Sequence, residues 1–454
     1  MPTEPNPTFP TLADRVARGK ALRQTATRAA QASWDPPAGR RDPTDILLDS
    51  DAGRVESLVP IRHGRMAESA FAFYRGSAAV MASDLATTPS TGFHVQSCGD
   101  CHLMNFGGFA TPERRFVFDM NDFDETLPAA WEWDVKRLAT SFVVAGRNLG
   151  LKRSACAESA RAAVRSYRER LAGFARMPAV QLWYERIDAS EIFDVGEKTT
   201  ASRAMASRIR LRPGGVNLTD RITFVANGVR RFTDHAPLVY HEPGKQGFTS
   251  RIRDYFEQYR QSVPEDLRFL LNRYRVIDTA VKVVGVGSVG TRCAIALLAA
   301  AEGDFLILQF KEARASVLES YAGASLHRNH GERVVQGQRL MQSASDMFLG
   351  WCHSERGGYD FYFRQLRDMK SSVSLEGADG AWLRDYAAIC GWALARAHAK
   401  GGDAAVLSGY LDTTDNFDVA LVEFAHAYAD QTERDFASFL RAVKSGRVPT
   451  AKIG

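Results

Sequence analysis

The chain has 454 residues, 45% of them hydrophobic and 24% charged, with a formal net charge of +5 at pH 7. These totals are ordinary for a soluble globular protein of two or three domains with a sizeable core. The charge excess is too mild to imply nucleic acid, and it suits an anionic ligand.

The first 24 residues lack an apolar core of signal-peptide length, and no later run approaches a membrane span. A cytoplasmic protein with no membrane partner is expected. Six cysteines, scattered at 98, 101, 156, 293, 352 and 390, do not form a disulfide framework.

Residues 1 to 43 are rich in proline, arginine and alanine and read as a flexible or partly helical extension. Residues 66 to 86 place apolar side chains at helical spacing and predict a buried helix, with Arg75 inside it. That arginine suits either a phosphate or a structural salt bridge. A strand should follow and deliver the chain into residues 97 to 125.

That stretch is the densest in chemistry. Gly99, Asp100, His102 and Asn105 give the spacing G-D-x-H-x-x-N, and Asp119, Asp122 and Asp124 follow. An aspartate on a loop can take a proton from a hydroxyl. An asparagine carbonyl can turn to a hard cation such as Mg2+, which accepts few protein ligands. Between them, residues 105 to 118 predict a hairpin that carries Asp119 or Asp122 back to Asn105. Asp100 is then the candidate base and His102 a positioning residue. Asn105, Asp119, Asp122 and Asp124 are the candidate metal ligands, with the choice among the three aspartates open. Bracing of the loop by side-chain to backbone hydrogen bonds is the plainer alternative.

Two amphipathic helices are expected over about 131 to 175. Residues 176 to 275 are less informative, with basic runs at 202 to 215 and 228 to 235 and a helix near 249 to 263. Basic runs usually mark a solvated face.

From Val281 a second motif begins, with Gly285, Gly287 and Gly290 in the spacing G-x-G-x-x-G, and Ser288 within it. Two physical readings are open. In one, the glycines start a helix and form a dinucleotide-binding turn, with Glu312 as ribose acceptor. In the other, residues 291 to 299 are a strand and the glycines form a flap over phosphates. Lys311 on the next strand then holds phosphate oxygens. The following segment predicts a helix and two more strands, and this order favours the second reading. Glu332, or else Glu319, is the candidate to orient Lys311, because Glu312 points to the opposite face of the strand. Two further helices close the chain.

The loop over residues 99 to 105 resembles the catalytic loop of the protein-kinase-like superfamily, especially aminoglycoside and choline kinases, although Cys98 stands where that branch usually has histidine. The segments at 73 to 86, 99 to 107, 118 to 126 and 308 to 316 look like the bacterial family of unknown function called DUF2252, over roughly 44 to 440. The kinase resemblance implies an α+β, two-lobed fold using ATP and Mg2+. Because Lys311 follows Asp100 here, that fold would be circularly permuted. The implied division is an extension to residue 43, a helical part with the loops over 44 to 275, an ATP-binding part over 276 to 375, and closing helices to 454. The acceptor, a small hydroxylated molecule rather than a protein, stays open. A nucleotide-binding protein without turnover and an NAD-dependent enzyme are the competing readings.

The run Cys98 to His102 also fits C-x-x-C-H. Haem attachment would need export, and a zinc site would need a second cysteine pair, which the sequence lacks.

Overall fold

The computed structural model describes residues 9–188, 218–244, 247–301, 303–355, 357–366 and 371–451. The basic run at 202 to 215 lies outside them. One part is helical, the other is built on an antiparallel sheet, and the candidate residues lie where the two meet. The architecture is mixed, with helices and small sheets as an α+β reading requires.

The helical part is held by four long helices, Trp131–Asn148, Arg153–Phe174, Gly380–Gly401 and Asn416–Lys444. Trp131–Asn148 is buried on almost every side and carries Glu132 and Asp134 in its first turn, where acidic groups complement the helix dipole. Gly380–Gly401 starts under an Asp379 cap whose side chain accepts from the Trp382 amide. Short strands feed this part: β1 (His94–Ser97), β2 (Phe106–Ala110), β3 (Phe116–Met120), β4 (Leu127–Ala130) and β5 (Ile187–Asp188). β2 and β3 form the expected hairpin, with Gly107 opposite Asp119.

Residues 9–43, read from composition as a flexible or partly helical extension, are partly helical and tied down. The helix Leu12–Ala21 opens on a Thr11–Asp14 capping box, and Arg15 pairs with Asp403 at 2.8 Å. Trp34 joins the main core against Tyr428, and Arg40 bridges Asp84 and Asp435. Arg15 and Arg40 are thus spent on acidic groups distant in sequence.

The buried helix expected over 66 to 86 is two helices, Ala70–Gly76 and Ala78–Leu85, broken at Ser77, whose backbone leaves the helical region.

A hairpin of β6 (Thr223–Ala226) and β7 (Val229–Phe232) leads to β8 (Val239–Tyr240) and then to β9 (Arg275–Lys282), β10 (Cys293–Ala299) and β11 (Phe305–Ala313). The helix His330–Met341 follows, then β12 (Gly350–Ser354) and β13 (Tyr359–Gln365). A last short strand, β14 (Ser371–Ser372), pairs with β2. The six-stranded sheet runs β12-β13-β11-β10-β9-β8 with antiparallel neighbours throughout.

Period-two alternation divides this sheet's faces. One face, with Ala294, Ala296, Phe310, Phe361 and Phe363, packs under the helices Ile252–Ser262 and Glu265–Leu271. The sheet part therefore starts earlier than the expected boundary at residue 276. The opposite face is apolar at one end, where Ala280, Ile295, Ile307 and Leu366 surround the fully buried Phe232. Burying such a ring contributes about 1.5–3 kcal/mol. Asp278 pins that segment by accepting from the Phe232 amide at 2.7 Å and from His241. At its other end the same face turns polar, with Gln309, Lys311, Tyr362 and Arg364 in register across β11 and β13.

Candidate functional site

Lys311 is 2% exposed. Its ammonium donates to Asp124 Oδ2 and, at 2.9 Å, to Ser288 Oγ. Ser288 lies 3.3 Å from the same carboxylate oxygen, and the Tyr362 hydroxyl donates to the other at 2.9 Å. Burial opposes charge on both partners. Even so, Asp124 holds the lysine's pKa above its ordinary value, and Lys311 holds the Asp124 carboxyl below its own. This knot joins the sheet, the glycine turn and the exit of the β2–β3 hairpin.

The glycines occupy the turn between β9 and β10. Residues 293–299 form a strand, where a dinucleotide turn would need a helix. The dinucleotide reading of these glycines, with Glu312 on a ribose, is thereby corrected. Glu312 instead accepts from the Arg292 amide and guanidinium. Gly285 and Gly290 have φ of +71° and +90°, which only glycine adopts cheaply. The turn is anchored rather than loose. Arg65 donates to the Gly285 carbonyl, Arg54 to the Val289 carbonyl at 2.7 Å, and Val55 to Gly290 at 2.8 Å.

Across from this knot lies the Asp100 loop. The amides of Cys98 and Gly99 donate to Asp134 at 2.8 and 3.1 Å, which fixes the chain as it leaves β1. Arg137 places both Nε and Nη2 on a single oxygen of Asp100, Oδ1, at 2.7 and 2.5 Å. Oδ2 faces His102 Nε2 at 3.8 Å. Burial raises the Asp100 pKa, and Arg137 and Arg75 only partly offset it. His102 is 3% exposed, and burial with the same two arginines drives its pKa well below the ordinary value. Its Nδ1 is buried with no hydrogen-bond partner among the described residues. Asn105 donates its side-chain nitrogen to the Asp100 carbonyl at 2.8 Å, and its own carbonyl accepts from Asn121 at 2.8 Å. Asn105 thus sits beside the turn that carries Asp122.

The three aspartates separate clearly. Asp119 is fully buried, accepts Arg396 on both oxygens, and accepts the Ser343 amide and hydroxyl at 2.8 Å. Its expected role as a metal ligand is corrected, since every side of the carboxylate is taken by the protein. Asp122 has no ion-pair partner among the described residues and accepts only the Asp124 amide, at 3.2 Å. Burial and neighbouring Asp124 raise its pKa against Lys311 and Arg364. Asp122, Asp124 and Asn105 carry oxygen donors of the type that a hard cation takes, and of these the Asp124 carboxylate is held by Lys311.

Glu332 does not orient Lys311. It sits in the first turn of His330–Met341 beside His327, at 3.6 Å, and Glu319 lies near His330 and Arg333 instead. The next residue, Arg333, is the one that enters the site, donating to the carbonyls of Thr126, Asp124 and Arg314 at 2.6–2.8 Å. The sequence reading missed Arg137, Arg333, Tyr362 and Arg364. Tyr362 and Arg364 lie in a largely aromatic strand, whereas Arg137 and Arg333 stand among other charged residues of their helices and carry no local signal.

Among the described residues, the one group of three Cys, His, Asp or Glu donors within 4.8 Å of one another is Cys98, Cys101 and Asp134. Asp134 is committed to two amides and to His398 Nε2 at 3.2 Å. Burial keeps both thiols protonated, Cys101 being pushed up to about 11. Among the described residues, no helix is long and apolar enough to cross a membrane.

Residues 54–442 match the model of a family described as an uncharacterized protein conserved in bacteria, DUF2252, and the chain belongs to that family. No curated protein and no solved structure matches it.

Proposed function

We propose that this DUF2252 protein is a kinase-like phosphotransferase, with a two-lobed and circularly permuted body, that moves a phosphoryl group from ATP with Mg2+ to a small hydroxylated acceptor. The observation that carries this reading is the Lys311–Asp124–Ser288 knot. It puts a sheet lysine, a candidate metal aspartate and the glycine turn at one point, with the Asp100 loop opposite.

The order of elements supports it. Three antiparallel strands with glycines in the first turn and the lysine on the third, then a helix, then two strands, is the order expected of a kinase N-terminal lobe. Lys311 would turn from Asp124 to phosphate oxygens once Mg2+ takes the carboxylate. Asp122 and Asn105 would complete the protein's share of the metal shell. Phosphoryl transfer needs positioning and charge neutralisation more than covalent work by the protein. The acceptor oxygen bonds to the γ-phosphorus, the bond to the β-phosphate oxygen breaks with its electron pair leaving on ADP, and the hydroxyl proton goes to Asp100. Because Arg137 occupies only Oδ1, Oδ2 stays available for that proton.

A second reading, nucleotide binding without turnover, draws on the same clamp, since Arg137 weakens Asp100 as a base. Thermal unfolding with ATP, with ATP plus Mg2+ and with NAD tests both. A ligand at a hundredfold excess over Kd adds about 2.7 kcal/mol of stability. A Mg2+-dependent rise with ATP that Lys311→Ala and Asp122→Ala remove is the expected result. A rise with NAD alone, or with no nucleotide, overturns the proposal. ATP binding in which neither wild type nor Asp100→Asn ever hydrolyses ATP favours the second reading.

A further inference from the structure

Most cations around the candidate site are committed to partners within the protein. Lys311 holds Asp124, and Arg137 holds Asp100 Oδ1 and the Tyr74 carbonyl. Arg333 holds three carbonyls, and Arg364 donates to Gln309 at 2.8 Å. Arg75 is the exception. It lies at the end of the Ala70–Gly76 helix, half-buried, with its guanidinium 5.9 Å over the Phe71 ring. Its Nε is buried with no hydrogen-bond partner, and no carboxylate among the described residues comes within ion-pair distance of it. A buried Nε without a partner costs free energy, and the outer nitrogens of this half-exposed guanidinium are not tied to any carboxylate among the described residues, so the position favours a negatively charged ligand.

Its location says which part of the ligand that would be. The helix end carrying Arg75 backs directly onto the glycine turn, where a Cβ on Gly287 would lie 3.3 Å from the Arg75 carbonyl and 3.8 Å from Gly76 Cα. The Arg75 charge also acts on Asp100 and His102. A cation near both the glycine turn and the base is near donor phosphates and acceptor hydroxyl alike.

We propose that Arg75 binds the terminal phosphate of the nucleotide and neutralises the transferred oxygens, a contact that a nucleoside diphosphate cannot make. This deepens the phosphotransferase reading and rests on it. Lys311 serves both nucleotides from the sheet side, while Arg75 approaches from the helical side and senses only the third phosphate. The planar fork of arginine suits two phosphate oxygens, and a lysine at the same place keeps the charge but not the fork.

The test is calorimetric titration of the full chain with Mg-ADP and with a Mg-bound β,γ-imido analogue of ATP, for wild type, Arg75→Gln, Arg75→Lys and Lys311→Ala. Arg75→Gln should weaken the triphosphate analogue by about tenfold, the scale of a lost charged hydrogen bond, and leave Mg-ADP unchanged. Arg75→Lys should recover part of the loss, which a merely structural role would not produce, and Lys311→Ala should weaken both nucleotides. Wild type that binds both nucleotides through Lys311, with Arg75→Gln unaltered or weakened equally for both, overturns the Arg75 assignment alone. Wild type that binds neither nucleotide overturns the phosphotransferase reading and this inference together.

Discussion

Arg396 holds the carboxylate of Asp119 through one terminal nitrogen, at 2.7 and 2.8 Å, with both side chains sealed from solvent. The pair ties the β2–β3 hairpin to the Gly380–Gly401 helix. Removing one member of a buried pair strands the other charge, at a cost of about 3–5 kcal/mol. Asp119→Ala should lose about that much in urea unfolding. An Asp119→Ala protein as stable as wild type would refute the structural assignment.

Lys311 and Asp124 should show strong coupling of a different kind. Lys311→Met leaves the partly buried Asp124 with only Tyr362 and Ser288 to hold it, so destabilisation of about 1–3 kcal/mol is expected. Adding Asp124→Asn removes the stranded charge. The double variant should then be more stable than the sum of the single changes requires, by about 1–3 kcal/mol. Additive single changes, measured by denaturant unfolding in one buffer, would show that the contact is incidental.

What the sequence made legible follows the range of each interaction. Asp100, His102 and Asn105 lie within six residues, and the hairpin that returns the chain to Asn105 has its own turn residues, so local spacing was enough. Lys311 was legible because its strand carries a single cation in an apolar run. Asp119 was not, since its partner Arg396 is 277 residues away and nothing local separates it from Asp122. Glu332 and Arg333 are neighbours on one helix turn, and which of them enters the site depends on helix rotation against β12 and β13, which neither periodicity nor composition fixes. Residues 9–43 left a flexible arm open as a reading because the carboxylate partners of Arg15 and Arg40 lie far along the chain, at Asp84, Asp403 and Asp435.

Gly99 should tolerate no side chain. Its φ is +80°, and a Cβ there would lie 2.3 Å from the Glu125 carbonyl oxygen, a backbone atom that cannot swing aside. Gly99→Ala should cost more than about 1 kcal/mol and move the Asp100 loop away from the 122 to 125 segment. The expected signature is weaker Mg-nucleotide binding together with a lower Tm. Unchanged unfolding would show that the two segments are not in contact.

Phe232 fills the apolar end of the sheet face that carries Lys311, so Phe232→Ala should open a cavity there at a cost of about 3–5 kcal/mol. Asp278→Asn, which keeps the shape but weakens acceptance from the Phe232 amide and His241, should cost less. The ranking is read from urea midpoints. Phe232→Ala matching wild type would mean that this segment does not cover the sheet.

Lys400 supplies a pH dependence with a definite sign. Its ammonium donates to the Gln342 carbonyl at 2.6 Å, and burial, with help from Arg396 and against Asp119, lowers its pKa to about 8. An unfolded chain keeps that proton up to about pH 10.4. Between those values the unfolded state binds more protons than the folded one, so this group makes stability rise with pH across the window. Below about 8 the folded state carries the buried charge and the contribution is at its least favourable. Lys400→Met lacks the titration. Its stability relative to wild type should therefore be greatest near neutral pH and should decline as pH rises toward about 10. Urea unfolding of both proteins across that range measures the difference directly, and a difference that does not change with pH would show that Lys400 titrates alike in both states.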